Sequence, residues 1–228
     1  MGELDGWKGC ERPYRQVMAG RYVRLEPLDR KAHGDGLFAA SSMSDADSRF
    51  RWLPEYAPAS RQDFEPWLEK AEASADPMFF TVFDLASGRI AGRQTMMRID
   101  AANGAVEIGN ILWSAIMARR PAATEAFFLF ARHVFDDLGY RRYEWKCNNL
   151  NEPSKRAALR FGMAAEGVFR QHMVVKGENR DTAWFSMIDT EWPLNRAAFE
   201  AWLDPANFDG EGQQRRRLEE IRAALAGQ

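Results

Sequence analysis

The stretch that most constrains this chain runs Tyr143-Glu144-Trp145-Lys146-Cys147-Asn148-Asn149-Leu150-Asn151-Glu152-Pro153-Ser154, then through Lys155, Arg156, Ala157 and Ala158 to Phe161-Gly162. Its first residues read as a strand and a polar turn follows. Asn151 stands where an N-cap belongs, and Gly162 stops the short helix that it opens. A strand that feeds a helix N-terminus leaves backbone N–H groups free to hold anionic groups such as phosphates. A second junction of this kind lies upstream, at Arg119-Arg120-Pro121-Ala122-Ala123-Thr124-Glu125-Ala126. Two such junctions point to a site for a large, extended, anionic ligand.

The 228 residues divide into an arm over 1–19, one central domain over 20–193 and a helical extension over 194–228. Hydrophobic residues at 46% and charged residues at 28% give an ordinary globular balance, with bulk enough for a core. A net charge of −2 argues against a nucleic-acid partner. No apolar run is long enough for a bilayer, and the first residues lack the order of a signal peptide, so no membrane partner is expected. Cys10 and Cys147 lie far apart, which argues against a disulfide framework and for a reducing, cytoplasmic setting. Three scattered histidines make a His-based metal site unexpected.

Residues 20–28 alternate apolar and charged side chains and predict a strand, after which Asp29 caps a helix to about Met43. Residues 44–60 carry turn formers together with Phe50, Trp52, Leu53 and Tyr56, a loop that either folds over a cleft as an acceptor pocket or is pinned to the core. Ser60 caps a helix with Phe64, Trp67, Leu68 and Ala71 on one face. Strands over 78–85, 90–99 and 106–113 are joined at Ser87-Gly88 and Asn103-Gly104. A helix over 123–138, ended by Gly139, leads to a strand over 141–147; this βαβ unit makes its two strands parallel. The 151–161 helix, strands over 169–176 and 182–192 around a 177–181 turn, and helices over 195–203 and 213–225 complete the order. The expected class is α/β: one mixed central sheet of about seven strands, with helices on both faces.

The order β-α-α-β-β-β-α-β-α-β-β, with a helix opening directly after the fourth strand, carries a set of short motifs. These are Ala123-Thr124-Glu125-Ala126, Leu138-Gly139-Tyr140-Arg141-Arg142 with Glu144-Trp145, Asn148, Asn151-x-x-Ser154, Phe161-Gly162-Met163, Glu166-Gly167, Arg180-Asp181-Thr182 and Glu191-Trp192. Together they resemble the GCN5-related N-acetyltransferase (GNAT) family over roughly residues 20–193, and within it the branch with the RimJ/RimL-type ribosomal-protein N-terminal acetyltransferases. The resemblance implies an enzyme that moves the acetyl group of acetyl-CoA to a primary amine by direct attack in a ternary complex. The amine would belong to a protein N-terminus or a small molecule. Acetyl-CoA would be the co-substrate, with no metal. A homodimer is left open.

The chain departs from the family's phosphate loop, Gln/Arg-x-x-Gly-x-Gly/Ala. Ala118 takes the first position and Pro121 the glycine, and proline removes one backbone donor. The N–H groups of Ala122, Ala123, Thr124 and Glu125 are then expected to receive the pyrophosphate, with Arg119 and Arg120 adding charge. The plain alternative is an ordinary helix start with solvated arginines. The resemblance also implies that Asn148, Asn151 and Ser154 contact the CoA arm and that Ser154 protonates the leaving thiolate; simple capping is the alternative. Backbone N–H groups near Ile111 and Leu112 would polarise the thioester carbonyl.

Glu107 is the candidate base. It sits in an otherwise apolar strand, on a face with Gly109, Ile111 and Trp113, where a carboxylate tends to a raised pKa; a solvent-facing Glu is the alternative. Arg180 reads as part of an exposed hairpin, and Asp181 as fixing that turn through its own backbone. Two rivals stay open: acylation with a longer chain, and a non-catalytic CoA-binding or scaffold protein with a degenerate phosphate loop.

Overall fold

The computed structural model describes residues 4–227. One eight-stranded sheet runs in the order β1-β2-β3-β4-β5-β6-β8-β7. Its strands are β1 (Met18–Ala19), β2 (Val23–Pro27), β3 (Met78–Asp84), β4 (Arg89–Asp100), β5 (Ala105–Trp113), β6 (Arg142–Asn148), β7 (Ala164–Val175) and β8 (Glu178–Ile188). The strand beyond the expected seven is β1, two residues of the arm that pair antiparallel with β2. Among the described residues only β5 and β6 pair in parallel, as the crossover through helix α4 (Pro121–Arg132) requires.

The run 78–84 is apolar without alternation because β3 is buried on both faces. Phe79 joins one core with Leu37, Phe64 and Leu68, from helices α1 (Arg30–Ser41) and α3 (Arg61–Ala73). Phe80 points the other way, into the main core, with its ring 5.1 Å from that of Phe130 on α4. Phe127 of α4 stacks on Phe161, centroids 4.4 Å apart, just past helix α5 (Glu152–Arg160). Phe199 of helix α6 (Trp192–Leu203) packs 5.7 Å from Phe127.

Several boundaries differ from the sequence reading. The helix after the second junction starts at Pro121, and its last turn, His133–Asp137, is a π-helix before Gly139 in the left-handed region. The loop over 44–60 contains a short helix, α2 (Ala46–Phe50). The last helix, α7 (Leu218–Ala226), is shorter than expected, and the segment before it is irregular. The β7–β8 turn is only Lys176-Gly177, both with positive φ, the pair that a tight two-residue hairpin demands. Asn179, Arg180 and Asp181 therefore belong to β8.

Two features position α4 and the cleft. Glu125 is buried, and its carboxylate accepts from the backbone N–H groups of Arg21 (2.8 Å), Tyr22 (2.6 Å) and Val23 (2.8 Å). A side chain on Gly20 would come within 2.4 Å of that carboxylate, which is why the turn carries glycine. In β5, Arg93 pairs with Leu112 and Thr95 with Gly109, so Asn110 and Ile111 together oppose Gln94. This is a β-bulge, with Asn110 in the left-handed region at φ 47°. Gly92 lets β4 follow the bend, because a Cβ there would lie 1.9 Å from the Leu112 carbonyl oxygen.

Truncating Glu125 to Ala strands three backbone donors. Glu125→Ala is predicted to lower unfolding stability by about 3 kcal/mol, read as a lower urea midpoint at unchanged slope. A midpoint equal to that of the wild type would contradict this role.

Candidate active site

The parallel ladder of β5 and β6 pairs Ala105 with Arg142 through Ile108 with Trp145 and then stops. Beyond it, β5 stays with β4 and β6 stays with β8. The strands splay at the bulge, and a cleft of about 230 Å³ opens between them. Glu107, Ile111, Asn151 and Ser154 all line it. Leu112 does not: it is buried under Phe50 and Leu53 of the 44–60 loop.

On the far side of α5 runs a groove of about 850 Å³, lined by Arg49, Arg119, Arg120, Arg156 and Arg160 and by no carboxylate among the described residues. Pro121 occupies the first helical position of α4, where a missing N–H removes no hydrogen bond. Arg119, at φ 57°, makes the left-handed turn into the helix. With Arg120 as N-cap, the first intrahelical bond belongs to Thr124, so the free donors of the helix start are those of Ala122 and Ala123. The expected set is corrected on this point: the N–H groups of Thr124 and Glu125 lie within the helix. The Thr124 hydroxyl instead accepts from Arg160 Nη1 at 2.9 Å. Arg120 leans toward buried Asp84 at 4.0 Å.

Arg156 and Arg160 were missed in the sequence, although their i, i+4 spacing puts them on one helical face with Pro153 and Ala157. Arg160 lies 4.8 Å over the Trp202 ring, and burial pushes its guanidinium below the usual arginine range, with Glu219 opposing. The C-terminal segment completes this wall through Phe208 and Gln214.

Glu107 is buried, as its strand position suggests, but its surroundings are not apolar. Its carboxylate accepts from Arg98 Nη1 at 2.8 Å and pairs with Lys146 Nζ at 2.9 Å. The premise for reading it as a base in apolar surroundings therefore fails. The reason is register: Lys146 is the residue directly after the last β5–β6 pair, and its ammonium spans Glu107 and Glu144 over the Trp184 ring. Ser154 accepts from Trp145 Nε1 at 3.0 Å, a bond that does not use its own hydroxyl proton, and it also stands within hydrogen-bond reach of Cys147. Its backbone N–H donates to Asn151 Oδ1 at 3.2 Å, so Asn151 is the N-cap. Burial raises the Cys147 thiol, while Ser154 acts against it. Asn148 faces neither the groove nor the cleft. Its Oδ1 accepts from Leu150 N, and it lines a neighbouring pocket of about 580 Å³ between the 44–60 loop and the β7–β8 hairpin.

That loop is pinned through its middle. Phe50 and Leu53 pack on Leu112, and Glu55 pairs with fully buried Arg93. Lys176 donates to the Phe50 carbonyl at 2.9 Å. Trp52 and Tyr56 are left to line the pocket. Asp181 does not fix its own turn: it accepts from Gln171 N at 2.7 Å across a β7 irregularity.

Residues 23–164 match the family model described as an acetyltransferase (GNAT) domain. A GCN5-related N-acetyltransferase from Brucella melitensis is 61% identical, with a TM-score of 0.96 over 96% of this chain and 100% of its own. A protein described as a probable acetyltransferase of the GNAT family, from Chromobacterium violaceum, is 38% identical, with a TM-score of 0.78 over 85% of this chain and 96% of its own. A Salmonella typhimurium acetyltransferase that modifies the N-terminal serine of a 50S ribosomal subunit protein shares the fold at 17% identity, with a TM-score of 0.65 over 76% of this chain and 99% of its own. No curated protein matches the chain. The chain belongs to the GNAT acetyltransferase family, whose co-substrate is acetyl-CoA. Among the described residues, no helix is long and apolar enough to cross a membrane, and no group of three or more His, Cys, Asp or Glu side chains could hold a metal ion.

Glu166 extends the ion-pair ladder at the foot of the cleft. Hydrogen bonds from Arg142, with help from Ser186, bring its carboxyl from 4.5 down to about 2. A folded-state value below the unfolded one gives stability that is present above pH 4.5 and is lost as pH falls toward 2. Glu166→Gln is therefore predicted to flatten the fall of the urea midpoint between pH 4.5 and pH 2.5, relative to wild type. Parallel curves for the two proteins would contradict the assignment.

Proposed function

We propose that the protein transfers the acetyl group of acetyl-CoA to a primary amine by direct attack in a ternary complex. The observation that carries this reading is the meeting of an arginine groove and an open helix start with a splayed pair of strands on either side of α5. Phosphates suit the groove: Arg119, Arg156 and Arg160 supply charge, and the N–H groups of Ala122 and Ala123 supply directed donors. The thioester then reaches the cleft, where the bulge at Asn110 turns the backbone near Ile111 away from the ladder to offer a donor to the carbonyl oxygen. Ser154, whose hydroxyl proton is not engaged by Trp145, protonates the departing thiolate.

Glu107 is the one carboxylate lining the cleft among the described residues. It receives the amine proton, directly or through water, while Lys146 and Arg98 hold it in place. The acceptor enters from the pocket bounded by Trp52, Tyr56 and the β7–β8 hairpin. Likeness to RimJ/RimL-type enzymes favours a protein N-terminus, and the size of this pocket suits a small amine equally.

Calorimetric titration with acetyl-CoA tests the reading. The double variant Arg119→Ala, Arg120→Ala is predicted to bind about tenfold more weakly, since one lost charge-assisted contact is worth roughly 1.5 kcal/mol after solvent screening. The wild type is then expected to release CoA in the presence of a panel of amines. Binding without turnover of any amine would overturn the catalytic assignment in favour of a CoA-binding protein. No binding at all would overturn the groove itself.

A further inference from the structure

Arg180 projects from β8 at the join of the cleft and the pocket beside it, and it lines both. It is half-buried, and its Nε is enclosed without a hydrogen-bond partner among the described residues. The other charges of the cleft are matched among the described residues. Arg98 and Lys146 hold Glu107, Lys146 also holds Glu144, and Arg49 holds Asp45. In the pocket, Arg51 lies over the Trp52 ring, and Lys176 bonds the Phe50 carbonyl over the Tyr56 ring, with Asp47 and Glu178 also on the lining. Asp181, next to Arg180 in sequence, bonds Gln171 N and Asn179 Nδ2 instead. Burial pushes the Arg180 guanidinium below the usual arginine range, with Cys147 and Glu107 as the attractive charges and Arg98 as a repulsive one.

A half-buried guanidinium without an anion is costly, because its lost hydration is not replaced. An ammonium entering alone would add a second like charge beside it. A carboxylate would satisfy the planar fork of N–H donors with two parallel bonds. A phosphate suits the place less well, since its greater charge calls for the clustered arginines found in the groove beyond α5.

We propose that Arg180 binds a carboxylate of the acyl acceptor, so that the preferred acceptor is an amine with a carboxylate close to its nitrogen. This rests on the acetyl-transfer reading above. Two sources supply that chemistry: a free amino acid, through its α-carboxylate, and a peptide whose first residue is acidic, through its side chain.

The test compares matched acceptor pairs with acetyl-CoA: L-amino acids against their α-amides, and a tetrapeptide beginning with aspartate against one beginning with asparagine. The carboxylate member of at least one pair is expected to exceed its amide in kcat/KM by at least tenfold. Arg180→Gln is expected to lower kcat/KM for that member by about 30-fold, the effect of roughly 2 kcal/mol of charge-assisted bonding. It should leave the amide member and the acetyl-CoA Kd within about threefold of wild type. The pair that responds identifies the source. Equal rates for acid and amide in every pair, or equal loss on both members in the variant, would overturn the proposal.

Calorimetric titration of the same carboxylates into protein saturated with CoA separates the two readings. Arg180-dependent binding without turnover would uphold the anion site and overturn acetyl transfer. Turnover that ignores Arg180 would do the reverse. Neither binding nor turnover would overturn both.

Discussion

Past Ile108 and Trp145 the two parallel strands share no further backbone pairing, and the rest of the molecule is arranged around that gap. The bulge at Asn110 and Ile111 places two residues of β5 opposite one of β4 and turns the strand out of the ladder. On the other side, β6 stays paired to β8 as far as Asn148, so the gap is held open by two intact antiparallel ladders. The close approach at Gly92 and the left-handed Asn110 are the local conditions for it. Unpaired backbone inside a sheet is unfavourable unless something bonds it, and a ligand carbonyl is the partner such a gap can accept.

Electrostatics divide the site into two halves. The groove beyond α5 gathers arginines with no carboxylate among the described residues that line it, a field suited to phosphates. The foot of the cleft carries a ladder of alternating sign, Glu166, Arg142, Glu144, Lys146, Glu107 and Arg98, in which each charge has an opposite neighbour. Lys146 and Glu107 are both almost wholly buried, so removing either would strand the other. The matched ladder fixes Glu107 in the cleft, and the unmatched Arg180 stands out against it.

Much of this was legible in the sequence because it depends on local rules. Asn151 as N-cap, Gly139 and Gly162 as stops, and the β5–α4–β6 crossover all followed from spacing and turn chemistry. The resemblance pointed to two helix starts, and a groove and a cleft lie beside them. The misreadings came from contacts between residues distant in sequence or from competing local signals. Glu107 seemed to lie among apolar neighbours because Arg98 and Lys146 arrive from adjacent strands. Asn179, Arg180 and Asp181 looked like a turn because they are polar, whereas Lys176-Gly177 takes the turn and moves Arg180 into the strand that lines the cleft. Pro121 takes the first helical position, where its missing N–H costs no intrahelical bond, although it is still one donor fewer at the helix start.

The gap between β5 and β6 and the start of α4 are proposed to bind one ligand together, and amide hydrogen exchange with and without acetyl-CoA is the measurement that reads this. Exchange is expected to slow in two separate segments, around residues 109–113 and 120–124, with little change along β1 to β3. Slowing confined to other regions, or protection of only one of the two segments, would contradict it.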